Sequence, residues 1–482
     1  MPSTRRGLPP SETALFAIFL FWLVIIPLPF GGVTDRAQPL LIVPPLLFGA
    51  AAALLRATRR RQTVATPAYR IACGAAIVFL AIVLVQLLPL PPSLLATISP
   101  ESYAIWSRAA TVAGLTRQPV AAAWPISIDP PSTWLHLFRI SAYLGTFVTA
   151  AMTARRHLPR LALALALSGG ALFQALYGIR EAALQRYAIW GWKNTKIFNR
   201  VTGTFVNPNH FADYAAILLP LALMLAATAW HEASSPTMPL RTRVARLVER
   251  RFILFGFGAC AAFGCVVAIL VAQSRGALLA LAVGALVVGG MIATATYARH
   301  HAAIGTAAAA VALVLLVFGL TRLLGLEAAM ERMASRPDEE TSIAGRRSTI
   351  EAGLAIWSRF PIAGSGLGTF DRVSPMVQHR HLDYTYNHAH DDYVEIAATT
   401  GAAGFTVAMV GLIALYALLF RMTFGRDAAT VSWHRRAFQA AALASFTIAA
   451  VHALIDFSFF IPAIPVTLAA VLGAAVAPRA SS

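Results

Sequence analysis

Apolar runs close to the roughly 20 residues that a helix needs to cross a bilayer recur from one end of the chain to the other. Leu, Ala, Val, Ile and Phe fill them, and Gly and Pro sit inside several, as membrane helices tolerate. Their spacing predicts about twelve transmembrane helices, near 13–30, 37–55, 71–90, 134–153, 160–180, 209–230, 252–272, 276–297, 302–324, 394–420, 437–456 and 460–477. The expected fold is therefore an all-α, polytopic membrane protein, a single membrane domain over 1–482 with a long extramembrane segment between the ninth and tenth helices. The first run follows Arg5 and Arg6, but no small-residue cleavage site comes after it, so it reads as a retained helix.

Composition agrees. Of 482 residues, 58% are hydrophobic and only 12% charged, against about a quarter charged in soluble domains. The formal net charge of +18 would suit a nucleic-acid partner if the basic residues formed one patch. They instead fill alternate short loops: Arg56 with Arg59, Arg60 and Arg61; Arg155, Arg156 and Arg160; Arg241 to Arg251; Arg421 to Arg436. By the positive-inside rule those loops and both termini are cytoplasmic, and no nucleic acid is implied. Cys73, Cys260 and Cys265 all lie in apolar stretches, so neither a disulfide framework nor zinc-type spacing exists.

Four segments of interest then fall on the other side. A Pro-rich loop, 91–133, carries PISIDPPSTW and an expected interfacial helix around 103–113. The stretch 181–209 leads into NRVTGTFVNPNHFADY. A tight turn, Gln273 to Gly276, joins two apolar runs, and the largest loop spans 325–393.

Chemistry-bearing residues from these distant stretches share that face: Arg200, Arg275, Arg346 and the pair His388 and His390. A guanidinium held at membrane depth needs an anionic partner. A lipid phosphate or diphosphate suits it, because Arg offers a planar, bidentate fork and keeps its proton. The alternative for Arg275 is an interfacial side chain snorkelling to headgroups. A helix beginning near Arg346 carries Ile350, Leu354 and Trp357 at helical spacing and stops at Pro361. Its positive N-terminal end favours an anion as well. Arg347 is adjacent and equally placed for the role; a solvated surface charge is the plainer reading of either. In YNHAHDDYVEIAATTGAAGF, Asp391 or Asp392 can cap the following helix. Histidine ordinarily titrates near 6.5, so His390 can take a proton from a sugar hydroxyl. The run His379, His381, His388 and His390, with acids beside it, also allows a metal site, but its spacing matches no closed zinc or facial-triad pattern. His452 and Asp456 stand at i, i+4 and are expected to form a buried hydrogen-bonded pair, or else to line an acceptor site.

His390-Asp391, nine residues, Gly401, two residues and Gly404 resemble the signature of the O-antigen ligase family. So do the GR…W…P…GSGLGTF block (Gly345 to Phe370), GTFVNPNHFA (Gly203 to Ala212), SRG (Ser274 to Gly276) and HALIDFSFFIP (His452 to Pro462). Together they run from about residue 200 to 462. One departure is Asp391, where the family usually has Asn, Ser or Gln.

The resemblance implies a bacterial inner-membrane glycosyltransferase that is metal-independent, inverting and without cofactor, with its active site facing the periplasm. Its partners would be an undecaprenyl-diphosphate-linked glycan donor, a glycan or lipid acceptor, and membrane lipids. Carried over by position, Arg275 and Arg346, with Arg200, would bind the diphosphate and His390 would activate the acceptor. His388, Asp391, Asp392, Asn209, Arg347, His452 and Asp456 would support them. The NPNHFA and HALIDF variants lean toward a polymerase rather than a ligase. The competing class is a transporter of a small anion such as bicarbonate, which would place ionisable groups at mid-membrane rather than at one face.

Overall fold

A computed structural model describes residues 9–58, 63–115, 121–193, 200–235, 237–295, 343–378, 385–425 and 431–480. The chain is helical almost throughout: α1 (Pro10–Ile25), α2 (Gln38–Thr58), α3 (Pro67–Gln86), α4 (Pro92–Ile98), α5 (Pro100–Leu115), α6 (Pro130–Thr153) and α7 (His157–Ala183) are followed by α8 (Pro208–Ala233), α9 (Leu240–Ala272), α10 (Arg275–Ala295), α11 (Ile343–Arg359), α12 (Asp392–Phe424), α13 (Trp433–His452) and α14 (Ala463–Ala475). Strand structure among the described residues is confined to two-residue pairs, Thr63–Val64 with Arg479–Ala480 and Ala188–Ile189 with Trp192–Lys193.

A helix stands at every expected span except the ninth, 302–324, which lies outside the described residues. Six of the described helices are long and apolar enough to cross a membrane by length and composition: Asp35–Ala57, Pro67–Gln86, His157–Ala183, Pro208–Ala233, Leu240–Ala272 and Asp392–Phe424. Three bounds differ from expectation. The 241–251 arginine segment is not a loop, because α9 runs straight through it from Leu240. The expected span 437–456 stops at His452, so Asp456 falls in a non-helical stretch before α14. The loop 91–133 holds two helices rather than one, α4 and α5.

The core gathers around α8, the most buried of the six candidate spans. Pro208 at its first turn and the Asn207 side chain, which accepts from Asn209 N at 2.8 Å, start it cleanly. Phe211, Tyr214, Leu218 and Leu225 are then fully buried against α9, α13 and α7. Small residues allow close helix approach, as in membrane bundles generally. A Cβ at Gly145 of α6 would stand 2.4 Å from the Pro45 carbonyl oxygen of α2, so only glycine fits there. Pro44 and Pro45 lie inside α2 itself, where packing on α6 covers the loosened backbone.

α12 is broken at Gly401, whose φ of 65° and ψ of −174° belong to a region open only to glycine. The turn after α11 crosses there, backbone on backbone: Ala402 N donates to Pro361 O, Gly366 N to Thr399 O, and Ser365 N to Ala398 O. A Cβ at Gly401 would lie 2.2 Å from Ile362 O. The buried Gln86 side chain ties the crossing to α3, donating to Ala363 O and Thr399 O and accepting from Leu367 N. This crossing fixes the C-terminal end of α11 against α12; at the opposite end of α11, where the candidate site lies, Thr349 Oγ1 donates to Ala389 O at 2.9 Å, just before α12.

Candidate active site

The stretch 453–462, between α13 and α14, is the hub. Asp392 N, at the start of α12, donates to Ala453 O at 2.9 Å, and Phe459 N returns a bond to Asp392 Oδ2 at 3.0 Å. Tyr393 Oη donates to Ala450 O. Asp391 is the N-cap of α12, accepting from Tyr393 N at 2.9 Å and Val394 N at 3.0 Å. Capping needs only an acceptor oxygen, which Asp supplies as well as Asn does, so Asp391 departs from the family's usual residue without structural cost.

At the centre lies Asp456, 1% exposed. Its Oδ1 is 3.5 Å from His210 Nε2 and 3.6 Å from His390 Nδ1; its Oδ2 is 3.8 Å from Arg346 Nη2. Arg346 also donates from Nη1 to Ile455 O at 3.2 Å, while its buried Nε has no hydrogen-bond partner among the described residues. The two imidazole contacts are too long for good hydrogen bonds, and His390 Nδ1 and His210 Nε2 are also buried without one. Burial works to raise the Asp456 pKa, but the imidazoles of His210 and His390, with His452 behind them, hold it well below the usual carboxylate range.

His390 itself sits at φ 53°, a left-handed backbone uncommon for a residue with a side chain. The Asp392-to-Ala453 bond and the Asp391 cap fix the chain just after it. Its ring meets Phe457 edge-on at 4.9 Å, as the ring of His210 does at 4.7 Å. His388 lies flat on the same phenyl ring at 4.2 Å and turns its Nδ1 to Glu395, 2.9 Å from Oε1. Glu395 also accepts from Ala389 N, so His388 is held by a buried carboxylate of its own.

Arg200 grips the end of α9. Its Nε and Nη2 donate to Ala272 O, and Nη2 also reaches Gln273 O and Asn209 Oδ1. A guanidinium at a helix C-terminus meets the negative end of its dipole. Burial, with the nearby charge of Arg346, lowers its pKa to about 10, and Asp456 works the other way; Arg200 is thus protonated at neutral pH. Gln273 takes the left-handed conformation that ends α9, and Ser274 Oγ accepts from Ala277 N to begin α10. Arg275 follows, exposed, with no hydrogen bond or ion pair among the described residues. Gly276 packs against the hub, since a Cβ there would stand 2.9 Å from Ile455 Cδ1 and 3.3 Å from His452 Nε2.

Arg200, Asn209, the Arg275 turn, Arg346, His390 and Asp456 thus share one neighbourhood, with His388 and Asp392 on its rim. Arg347 points elsewhere: it is exposed and paired with Glu351 at 2.8 Å. His452 and Asp456 do not pair with each other. The helix ends between them, and His452 Nδ1 turns instead to Ser458 Oγ at 2.9 Å and Asp213 Oδ2 at 3.5 Å. His379 and His381 lie outside the described residues.

Sequence reasoning missed His210, Asp213, Glu395 and Phe457. His210 and Asp213 are i, i+3 on a helix already marked by NPNHFADY, a signal that was available. Glu395 and Phe457 are legible only once α12 and the hub are folded together.

Among known proteins, the O-antigen ligase family matches residues 260–409. No curated protein matches the chain. The matched stretch contains Arg275, Arg346, His390, Gly401 and Gly404, while Arg200, His210 and Asp456 complete the cluster from outside it. Through residues 260–409, the segment that carries its turn arginine, its helix arginine and its strained histidine, the chain is similar to the O-antigen ligase family.

Proposed function

We propose that the chain transfers a glycan from undecaprenyl diphosphate to an acceptor hydroxyl at the periplasmic face of the inner membrane, with inversion and without a metal. The observation that carries this reading is the buried Asp456 carboxylate that His390 and Arg346 share. It links a candidate base to a candidate phosphate-binding group within one cluster.

In this reading Arg346 and Arg275, with Arg200 behind them, neutralise the diphosphate. The Arg346 side chain is about a quarter exposed and Arg275 is exposed with no protein partner among the described residues, which leaves guanidinium donors for an anion. Asp456 faces His390 Nδ1, favouring the tautomer with its proton there and its lone pair on Nε2. The acceptor oxygen forms a bond to the anomeric carbon as the bond from that carbon to the diphosphate oxygen breaks. The acceptor proton passes to His390 Nε2, and the electron pair leaves with the diphosphate. Fixed guanidinium charge suits this departure better than protonation, since a diphosphate is a stable anion. The base contributes about 10² to 10⁴ in rate.

Purified protein supplied with a lipid-diphosphate glycan tests the reading. Lengthening of the lipid-linked repeat identifies a polymerase, and transfer to a lipid A core identifies a ligase. Arg346→Ala should weaken donor binding and slow transfer, with Arg346→Lys only partly restoring both. Arg347→Ala, which removes only an exposed pair, should leave both intact. Equal effects at the two positions would contradict the phosphate assignment.

A further inference from the structure

The far ends of the central helices carry a second cluster. Glu232 lies 22 residues along α8 from His210, about 33 Å at 1.5 Å per residue. His157 begins α7, Glu232 stands at the last turn of α8, and His434 is the second residue of α13. Glu232 Oε1 is 2.9 Å from His434 Nε2 and 3.8 Å from His157 Nε2, and one donor atom from each residue lies within 4.8 Å of the other two. The imidazole rings are 4.1 Å apart, inclined by 49°. Arg251 of α9 holds the other carboxylate oxygen, Oε2, at 2.9 Å, leaving Oε1 turned to both rings.

We propose that His157, Glu232 and His434 form a site for a divalent transition-metal ion of the Zn²⁺ class, which staples the cytoplasmic ends of α7, α8 and α13. Two imidazole nitrogens and one carboxylate oxygen are a donor set such ions favour over Mg²⁺ or Ca²⁺. Ligands about 2.0–2.1 Å from Zn²⁺ stand roughly 3.4 Å apart in a tetrahedron, and the spacings here bracket that value. Binding uses the Nε2 lone pairs, so the ring protons sit on Nδ1. Arg251 acts behind the ligands, fixing the carboxylate, as outer partners of metal ligands commonly do. The side chains of His157 and His434 are 38% and 27% exposed, which gives an ion a way in from water. His231, although near, stacks face-on with Trp433 at 4.0 Å and is held aside. The site is remote from the Asp456 cluster and independent of the transfer reaction.

The test uses the untagged full chain in detergent, stripped with EDTA and titrated with Co²⁺. The expected result is visible d–d absorption that saturates at one ion per chain, with a rise in Tm on adding Zn²⁺. Both signals should vanish in the double variant His157→Ala/His434→Ala and persist in His231→Ala. Absence of the absorption in the natural chain overturns the proposal and leaves a hydrogen-bonded cluster. Its persistence in the double variant overturns it too, by showing that the ion sits elsewhere. Should the double variant fail to fold, Glu232→Gln gives the same reading, its retained absorption counting against the site.

Discussion

His390 shows how much a single residue can say. Its position in the motif was legible, since His-Asp followed at fixed spacing by two glycines can be read directly. Its geometry was not. The left-handed backbone and the Asp456 contact need a segment more than sixty residues away to fold back on it. Asp456 was legible only as a neighbour of His452, and the i, i+4 rule misassigned its partner because the helix ends between the two. The carboxylate also makes a pH prediction. Its pKa is depressed in the folded chain, so its stabilising contribution is complete above the unfolded value of about 3.9 and is lost as pH falls through the folded value. Asp456→Asn should therefore cost about 1–3 kcal/mol, unchanged between pH 5 and 8, with the difference from the natural chain shrinking below about pH 4. Thermal denaturation of both proteins across pH checks this. A difference that closes between pH 6 and 7 would assign the stabilisation to another group.

At the scale of elements, most helices were readable from apolar length, and their contradictions have physical causes. α9 carries its arginines on a helix because Leu240, Val244 and Leu247 continue the helical pattern through them. The crossing of the 361–366 turn on α12 was not readable. Gly401 shows in the sequence as a motif glycine, but its reason is a carbonyl oxygen from another segment standing where a Cβ would go. Gly401→Ala should cost about 1–3 kcal/mol in backbone strain alone, lower Tm and impair transfer by shifting α11, which carries Arg346. Gly74→Ala, where an added methyl meets nothing within 4 Å, is the control and should be tolerated. Equal tolerance at both positions would show that the crossing does not fix the site.

For the molecule as a whole, α8 and α13 link two polar clusters at opposite ends of an apolar core. The upper one draws on the 200–213 stretch, the α9–α10 turn, α11, the start of α12 and the hub. No one of these segments is informative alone. Their convergence was expected from topology, because alternate arginine-rich loops assign all of them to one face. What sequence could not supply was the order within the cluster: Arg200 bracing the α9 end, Arg346 bridging to Asp456, His390 on the other side of that carboxylate, and Arg347 turned away.

In the proposed reaction labour is divided: the arginines hold the diphosphate and His390 takes the acceptor proton. Measuring donor affinity and single-turnover transfer in parallel for His390→Ala and Arg275→Ala tests it most directly. His390→Ala should bind the lipid-diphosphate glycan with nearly natural affinity and lose transfer by about 10² to 10⁴. Arg275→Ala should lose both. Natural transfer rates in His390→Ala, or undiminished donor affinity in Arg275→Ala, would contradict it.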